Sequence, residues 1–470
     1  MIESSKHSTG LYTEIQSTYP RITYGKGVYL YDTSGKKYLD ASAGSVAVST
    51  IGHGIEELAK IIKKQTQKAS ILPAHAVTNK VVEKYLKRLV QFAPSGFKQA
   101  LTMTSGTEAV EKALKIVLQY HQLLGNTNRC KIVSRWFSHH ESSIFTLNVG
   151  EAEGNHKTYE QWKHNFPRVQ PTYKYRYGNK LSEDEYCDYC VDEFKKTIEK
   201  NNPETIAAFI AEPVVGTTLG AVTPPKNYFS RIKKICEHFG ILFISDELTT
   251  GFGRLGTNFG IEEFQITPDI IVAGKGMSGG YFPLAAVLIN KKIASIFEEN
   301  QVTLKTNCTH VNNPVGAAVG SYVLDYIEKN KILENVSQRG VELKKRLEEL
   351  KVSPIIGEIR GKGLLLGVEF VINKKSKTPF PAEMNISERI FQKTLEKGVI
   401  VYPRKGSSDG VQGDHILVCP PLTITAKEVD FLADKLIEAV AEIQKEIITT
   451  VTSFQSRRNS KIQLTALVEK

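Results

Sequence analysis

The sequence predicts an α/β protein in which helices cover both sides of a mostly parallel sheet, followed by a smaller α+β unit. From about residue 97, apolar runs of strand length alternate with segments of helical periodicity, and these runs are CKIVSRW, TIAAFIAE, ILFIS, DIIVAG and LAAVLIN. Such alternation is typical of parallel sheets, whose strands are buried on both faces and read as almost continuous apolar runs. The chain has 470 residues, 41% of them hydrophobic, which is enough for more than one core.

The remaining elements follow from periodicity and turn residues. GKGVYLYD leads through the hairpin-like TSGKK into YLDASAGSVAV, which predicts a small antiparallel piece within the first 50 residues. Helical spacing covers residues 55–88. A helix is also predicted over Tyr228–Gly240, where Gly240 is the stop signal and several apolar residues share one face. Long helical spacing after Pro314, several strand-like runs and a final helix from Ala426 make up the smaller α+β unit.

Two regions do not fit this alternation. Residues 150–192 are polar and aromatic and are predicted to be loop-like, and they contain Cys187 and Cys190. One interpretation of this cysteine pair is half of a zinc site, although the sequence supplies no second CxxC and no well-spaced histidine. The favoured interpretation is an insertion that packs near the mouth of a ligand site. The tail from about Ser453 is expected to be peripheral or disordered.

Composition excludes several classes of function. The formal net charge is +11, but the basic residues occur as KK and KR pairs interleaved with glutamates, a pattern typical of solvated helix faces rather than of a nucleic-acid interface. No apolar run approaches the roughly 18–20 residues of a membrane span. The start MIESSKHSTG lacks the apolar run of a secretory signal, and the six cysteines are scattered. We therefore expect a cytoplasmic protein that binds neither nucleic acid nor membrane.

The chemistry is concentrated in residues 241–290. Asp246 and Glu247 follow the run ILFIS, and Lys275 follows DIIVAG, each before a glycine-rich turn. A helix cap and a solvated turn are the ordinary explanations for such residues. However, Lys275 lies between small residues that leave room for a planar cofactor, and strands buried on both faces seldom end on charged groups by chance. A lysine and a carboxylate at the ends of buried parallel strands resemble the two protein groups that pyridoxal phosphate needs, one for the aldehyde and one for the ring nitrogen.

A phosphate site is predicted where the strand QALTM runs into Thr104 and the sequence Ser105-Gly106-Thr107. The following residues have helical spacing, so backbone N–H groups at the helix start, helped by hydroxyls, would hold a phosphate dianion. The alternative is simple N-capping by Ser105 or Thr107.

Other candidate groups come from two more strand ends. The run CKIVSRW leads to His139, His140 and Glu141, and an imidazole from this segment would stack on a planar ring. Adjacent residues of an extended segment point in opposite directions, so at most one histidine faces the site. A metal pair or a surface position is the alternative. Glu212, at the end of TIAAFIAE, adds a carboxylate that would orient a substrate or pair with an arginine.

Taken together, these motifs resemble those of the class III pyridoxal-phosphate aminotransferases, from about Tyr19 to Ile443. The matching segments are YPRITYGKGVYLYDTSGKKYLDASAG, TMTSGTEAVEKALKIV, SDELTTGFGRLG and PDIIVAGKGMSGGYFPLAAV. The resemblance implies fold type I, with a mostly parallel seven-stranded sheet in the large domain and a smaller α+β domain formed by both termini. The implied divisions are residues 1–55 and 326–450 for the small domain, 56–325 for the cofactor-binding domain, and 451–470 for the tail.

The resemblance also implies residue roles. Lys275 would be the Schiff-base lysine and proton carrier, and Asp246 the partner of the ring nitrogen. Gly106 and Thr107, with Ser105, would hold the phosphate. His139 stands where the family usually stacks an aromatic ring. Thr309 resembles the threonine that reaches the phosphate of the partner subunit, which implies an active site at the interface of a homodimer, alone or within a tetramer.

Three positions depart from the family pattern and bear on the substrate. Thr249 stands where a glutamine is frequent beside the cofactor ring oxygen, so this contact is expected to be shorter, water-mediated or absent. Leu417 replaces the arginine that binds an α-carboxylate in one branch of the family. Arg404, on a loop expected to be flexible, is the nearest alternative cation.

The expected activity is transfer of an amino group from an amine or amino acid, including ω-amines, to an oxo acid through a pyridoxamine phosphate intermediate. Racemases or epimerases, aminomutases and a decarboxylase share the lysine and the electron sink, so these remain alternatives. A catalytically silent binding protein is disfavoured because Lys275 and Asp246 are both present. No metal is expected at the site.

Overall fold

The computed structural model describes residues 19–140, 143–150, 159–162, 164 and 166–457. Glu141, the first 18 residues of the N-terminal segment and residues 458–470 of the predicted tail lie outside the described residues. The strands in chain order are β1 Ile22–Lys26, β2 Tyr29–Asp32, β3 Lys37–Asp40, β4 Phe97–Met103, β5 Lys131–Arg135, β6 Arg168–Val169, β7 Ile206–Ala211, β8 Leu242–Asp246, β9 Ile270–Ala273, β10 Ala285–Asn290, β11 Ile356–Lys362, β12 Leu365–Phe370, β13 Val399–Ile400, β14 Tyr402–Arg404 and β15 Asp414–Val418.

The described α-helices connect and cover these strands. In chain order they are α1 Glu56–Lys68, α2 Lys80–Phe92, α3 Gly106–Leu123, α4 Lys174–Tyr177, α5 Glu183–Lys200, α6 Tyr228–Phe239, α7 Lys291–Glu299, α8 Pro314–Lys329, α9 Ile332–Glu348, α10 Ile386–Glu396 and α11 Ala426–Arg457. The predicted helix before Gly240 is α6, and Gly240 ends it with a left-handed φ of 67°. Among these described helices, none combines the length and hydropathy needed to span a bilayer.

Seven strands form the central sheet in the order β4-β10-β9-β8-β7-β5-β6. Neighbouring strands from β9 to β6 pair in parallel, whereas β10 runs antiparallel to both β9 and β4. The prediction of a mostly parallel sheet flanked by helices is confirmed. Because β10 reverses direction between two parallel neighbours, the carboxyl end of β4 lies at the same edge of the sheet as the carboxyl ends of β5, β7, β8 and β9.

The sheet is buried on both faces, as its apolar strands predict. In β7, Phe209 and Ala211 belong to one apolar cluster, and Ala208 and Ile210 belong to another. The first cluster includes apolar residues of α5 and α6, and the second includes those of α3. Alternate side chains of one strand thus reach opposite helix layers. A charged side chain would have no place within such a strand.

Two smaller sheets involve both ends of the chain. One has the order β1-β2-β3-β13, in which the N-terminal strands are antiparallel and β13 joins β3 in parallel. The other has the order β11-β12-β15-β14. The expected smaller α+β unit, formed by both termini, is therefore present. Its boundaries at residues 55, 325 and 450 remain predictions.

The prediction that residues 150–192 are loop-like is wrong for their second half, which contains α4 and the first ten residues of α5. Ser182 and Glu185 form a capping box at the start of α5. Cys187 and Cys190 are buried on the apolar face of this helix, where they pack as core residues. In the described parts of the chain, no group of three or more histidine, cysteine, aspartate or glutamate side chains is placed to hold a metal ion.

A buried charged cluster joins the β11-β12 hairpin to the large domain. Glu369 is fully buried, and its carboxylate accepts hydrogen bonds from Tyr173 Oη, from Arg176 Nε at 2.7 Å and from Arg360 Nη1 at 2.7 Å. Arg360 Nε also donates to the carbonyl of Gly220 at 2.7 Å. The cluster therefore fixes the turn at residues 216–221 against the C-terminal sheet.

We expect Glu369→Gln to destabilise the protein by about 3–5 kcal/mol, because it leaves two buried guanidinium groups without their shared carboxylate. Glu358→Gln is the matched control. Glu358 bonds the same Arg360 at 3.0 Å but is 30% exposed, and its loss should cost no more than about 1 kcal/mol. Thermal unfolding midpoints of the two variants and the parent check this. Equal midpoints for both variants would contradict it.

Candidate active site

Asp246 and Lys275 lie at the carboxyl ends of neighbouring parallel strands. Asp246 is the last residue of β8 and pairs in register with Val272 of β9, and Lys275 follows β9 after a single glycine. The two strand ends identified from the sequence are therefore neighbours at one edge of the sheet. This edge is where ligands bind in sheets of this kind.

The turn that carries Lys275 is tightly packed. Lys275 has a left-handed φ of 42°, which is uncommon for a residue with a side chain. A Cβ on Gly274 would lie 2.7 Å from Leu248 Cδ2, and one on Gly276 would lie 2.6 Å from Thr50 Oγ1, so a larger residue at either position would have to displace these side chains. Thr50 Oγ1 donates a hydrogen bond to the Gly276 carbonyl at 2.9 Å, which attaches the N-terminal segment to the lysine turn.

Asp246 is held by hydrogen bonds and is only 2% exposed. Its Oδ2 lies 2.6 Å from His140 Nδ1, and its Oδ1 accepts from the Leu248 N–H at 3.1 Å. His140 is fully buried, and its Nε2 has no hydrogen-bond partner among the described residues. Sequence reasoning placed one of the two adjacent histidines toward the site but did not identify His140 as the partner of Asp246. Their separation of 106 residues leaves no local signal for this contact.

His139 and Glu212 meet beside this pair. The His139 N–H donates to Glu212 Oε1 at 3.1 Å, and the Gly216 N–H donates to Glu212 Oε2 at 2.9 Å. Arg135 also contacts Glu212, but it donates to the main-chain carbonyl rather than to the carboxylate. Burial raises the pKa of the Glu212 carboxyl group. Burial, and then the nearby Lys275 and His140, lower the pKa of His139 to about 4.

Glu247, the second carboxylate of the sequence motif, organises the backbone behind the site. Its carboxylate accepts hydrogen bonds from Gly260 N and Ile261 N at 2.8 Å each, and from the hydroxyls of Ser245 and Thr250. Burial raises the pKa of Glu247 to about 7. Although the two acids are adjacent in sequence, Glu247 bonds the backbone at Gly260 and Ile261, whereas Asp246 contacts His140.

The predicted phosphate cradle is the N-terminus of α3, which follows β4 at the same edge of the sheet. Ser105 is the N-cap, and its hydroxyl accepts from Glu108 N at 3.2 Å while Glu108 accepts from Ser105 N at 3.2 Å. The N-capping alternative is therefore realised by Ser105. Gly106 and Thr107 occupy the first helical turn, where N–H groups and the helix dipole favour an anion.

Thr309 lies on the protein surface, in the segment between α7 and α8. Its side chain is exposed, whereas residues on either side of it bond to β4 and α3. Lys112 Nζ donates to Thr306 Oγ1 at 2.8 Å, and Asn312 Oδ1 accepts from Thr102 N at 3.1 Å. The structure thus presents Thr309 outward on an anchored segment.

The substrate side differs from expectation at one position. Arg404 is not on a flexible loop, because it ends strand β14 and pairs with His415 of β15. The sequence YPR alone is too short for a strand signal, and cross-strand pairing determines its structure. Leu417 is fully buried in an apolar cluster with Val46 and Cys419. The Arg404 charge also contributes to the low pKa of His139, after burial, Lys275 and His140.

We expect the apoprotein to lose stability as the pH falls from about 6.5 toward 4, because the unfolded chain protonates His139 in this range and the folded chain does not. At pH 5 the contribution is about 2 kcal/mol. His139→Phe should lose less stability than the parent between pH 7 and pH 5, in unfolding experiments on both apoproteins. Equal losses would contradict the prediction, since all other titrating groups are shared.

Comparison with known proteins places the chain in a family. The Aminotransferase class-III family model matches residues 13–440. The uncharacterized aminotransferase YodT of Bacillus subtilis is 34% identical over 92% of this chain and 98% of its own length. Gamma aminobutyrate transaminase 2 of Solanum lycopersicum is 32% identical over 91% and 92% of the two chains.

Solved structures agree with this assignment. The omega transaminase from Pseudomonas jessenii in complex with PMP has a TM-score of 0.86 and 29% identity, over 93% of this chain and 97% of that one. The (S)-enantioselective omega-transaminase from Thermomicrobium roseum has a TM-score of 0.85 and 32% identity, over 93% and 96% of the two chains. With its large mixed sheet and its strand-end lysine and aspartate, this chain belongs to the class III aminotransferases of fold type I.

Proposed function

We propose that the chain holds pyridoxal 5'-phosphate at the carboxyl edge of the central sheet and uses it to move an amino group from an amine or amino acid to an oxo acid. The observation that carries this proposal is the meeting of Lys275, Asp246 and the N-terminus of α3 at one edge. The three groups match an aldehyde, a pyridine nitrogen and a phosphate. When bound, the cofactor supplies an electron sink for a bond broken at the amine-bearing carbon.

The chain's own residues fit this cofactor. Asp246 would accept a hydrogen bond from the protonated ring nitrogen. His140 Nδ1, 2.6 Å from Asp246 Oδ2, fixes the orientation of the carboxylate. The uncharged His139 would lie against the ring without placing a second cation beside Lys275. Ser105, Gly106 and Thr107 would hold the phosphate with the positive end of α3. Glu212 supports the site by fixing the backbone of His139 and Gly216.

Lys275 would bind the aldehyde and, when released, move a proton at the amine-bearing carbon of the substrate. The packed turn limits where its amine can go, so the proton is delivered from a restricted position. The nearby hydroxyl of Thr249, 2.8 Å from Lys275 Nζ, is part of this arrangement.

The active site is proposed to be completed by a second copy of the chain. Thr309 is exposed on an anchored segment, which suits a contact with the phosphate site of a partner. This arrangement requires a homodimer, and it is also compatible with a tetramer built from such dimers. The six cysteines are free thiols, which suits the reducing cytoplasm.

The proposed donors include ω-amines as well as amino acids. Relatives named as gamma aminobutyrate transaminases and omega-transaminases support this range. Leu417 provides no guanidinium for an α-carboxylate, and Arg404 at the end of β14 is proposed to contact the acidic group of a substrate instead. A screen of α-amino acids, ω-amino acids and diamines with the wild type and Arg404→Met separates these classes. We expect the KM of Arg404→Met to rise for the amino acids, which carry a carboxylate, and to stay unchanged for the diamines, which do not.

Lys275→Ala should abolish borohydride trapping of pyridoxal phosphate on the protein and lower turnover by at least about 100-fold, because the covalent attachment and the proton carrier are both removed. Peptide mapping of the reduced wild type identifies the modified residue. Lys362→Ala, a change at a remote and partly exposed lysine, is the control and should trap normally. Trapping on another residue of the wild type would refute the assignment.

Asp246→Asn should retain bound cofactor but lower the rate of the amine half-reaction by at least about 100-fold, since the ring nitrogen is no longer kept protonated. Asp269→Asn is a suitable control. Asp269 is also buried, yet it bonds Lys233 and the Phe243 N–H away from the site. Stopped-flow absorbance of each holoenzyme mixed with an amine donor gives the rates. Normal rates in Asp246→Asn would argue against the proposed role.

A further inference from the structure

We infer that Thr249 is a positioning residue that holds Lys275 in the part of the reaction when the lysine amine is free. The inference rests on the proposed function, because it concerns the same lysine. Lys275 Nζ donates to Thr249 Oγ1 at 2.8 Å in the structure. Thr249 can therefore hold the amine whenever Lys275 is not bonded to another group, which includes the proposed steps in which the lysine carries a proton.

The orientation of Thr249 is imposed by its surroundings. The residue is 8% exposed, and a Cβ on Gly216 would lie 3.2 Å from Thr249 Cγ2, so the methyl group packs directly against this glycine. Gly216 is fixed in turn by its N–H bond to Glu212 Oε2 at 2.9 Å. Because a β-branched side chain has few allowed χ1 values, packing of the methyl group also fixes the direction of the hydroxyl.

Lys275 is thereby restrained at both ends of its side chain. Its backbone lies in the packed turn between Gly274 and Gly276, and its amine is held by Thr249. A long, flexible side chain normally loses much rotamer freedom when it is positioned for proton transfer. The hydroxyl supplies part of that ordering in advance, before the substrate reacts.

This role and a contact between Thr249 and the ring of the cofactor predict opposite changes in the Kd for pyridoxal phosphate when the hydroxyl is removed. If Thr249 stabilises the free lysine amine, removing the hydroxyl raises the free energy of the apoprotein relative to the cofactor-bound protein. The protein then binds the aldehyde more tightly. If Thr249 instead bonds the ring oxygen, its removal weakens cofactor binding. The direction of the change in Kd therefore distinguishes the two roles without any measurement of turnover.

The experiment compares Thr249→Val, which keeps the shape and loses the hydroxyl, with Thr249→Ser, which keeps the hydroxyl. Pyridoxal phosphate is titrated into each apoprotein and followed by absorbance. We expect Thr249→Val to bind about three- to tenfold more tightly than the wild type, the size expected for one lost hydrogen bond, and Thr249→Ser to stay near the wild type. Thr257→Val removes a 2.8 Å hydroxyl bond to Phe259 outside the site and should change nothing.

The same holoproteins are then mixed with an amine donor carrying hydrogen or deuterium at the amine-bearing carbon. We expect Thr249→Val to transfer this proton about tenfold more slowly, with a larger isotope effect and an unchanged KM, and Thr249→Ser to recover most of the rate. Weaker or unaltered cofactor binding by Thr249→Val would overturn the inference. Absence of trapping on Lys275 in the wild type would instead refute the proposed function, so the two failures are distinguishable.

Discussion

The site depends on one physical constraint, which is that strands buried on both faces carry no charge except at their ends. β7, β8 and β9 are entirely buried, and a charge within them would face an apolar helix layer. The parallel direction of β4, β5, β7, β8 and β9 then brings all their carboxyl ends to one edge. Asp246, Glu212 and Lys275 meet there because the core excludes them from everywhere else on these strands.

Burial also determines how these groups are charged. Glu212 and Asp246 are buried at the edge that carries Lys275, and each carboxyl group is held by hydrogen bonds from the protein. Burial, together with the nearby Lys275 and His140, lowers the pKa of His139 to about 4, so its ring is uncharged above this pH. One edge of the sheet therefore brings two carboxyl groups, a lysine amine and a neutral imidazole into a small space. Ionisable groups of different kinds gathered in one buried place are typical of functional sites.

How far the sequence predicts this arrangement depends on the range of each signal. Apolar periodicity and glycine stops are local, so the strands before Asp246 and Lys275, and the helix before Gly240, were predicted and are present. The helix Glu183–Lys200 was missed because eleven of its residues are charged or polar. Its apolar face contains two cysteines and few aliphatic side chains, so the helical periodicity is weak. Pairing of Arg404 with β15 and the contact of His140 with Asp246 join distant segments, and no local pattern reports them.

The contacts that position Lys275 come from three separate parts of the chain. Thr50 of the N-terminal segment bonds the carbonyl of Gly276, Thr249 after β8 bonds the lysine amine, and Gly216 after β7 restrains the Thr249 methyl group. The Gly216 turn is fixed to the C-terminal sheet through Arg360, which bonds the carbonyls of its last residues. Contacts from the N-terminal segment and from the C-terminal sheet therefore restrain the lysine through both its backbone and its amine. The Lys275 side chain is therefore held by contacts from distant parts of the chain, and not by its own turn alone.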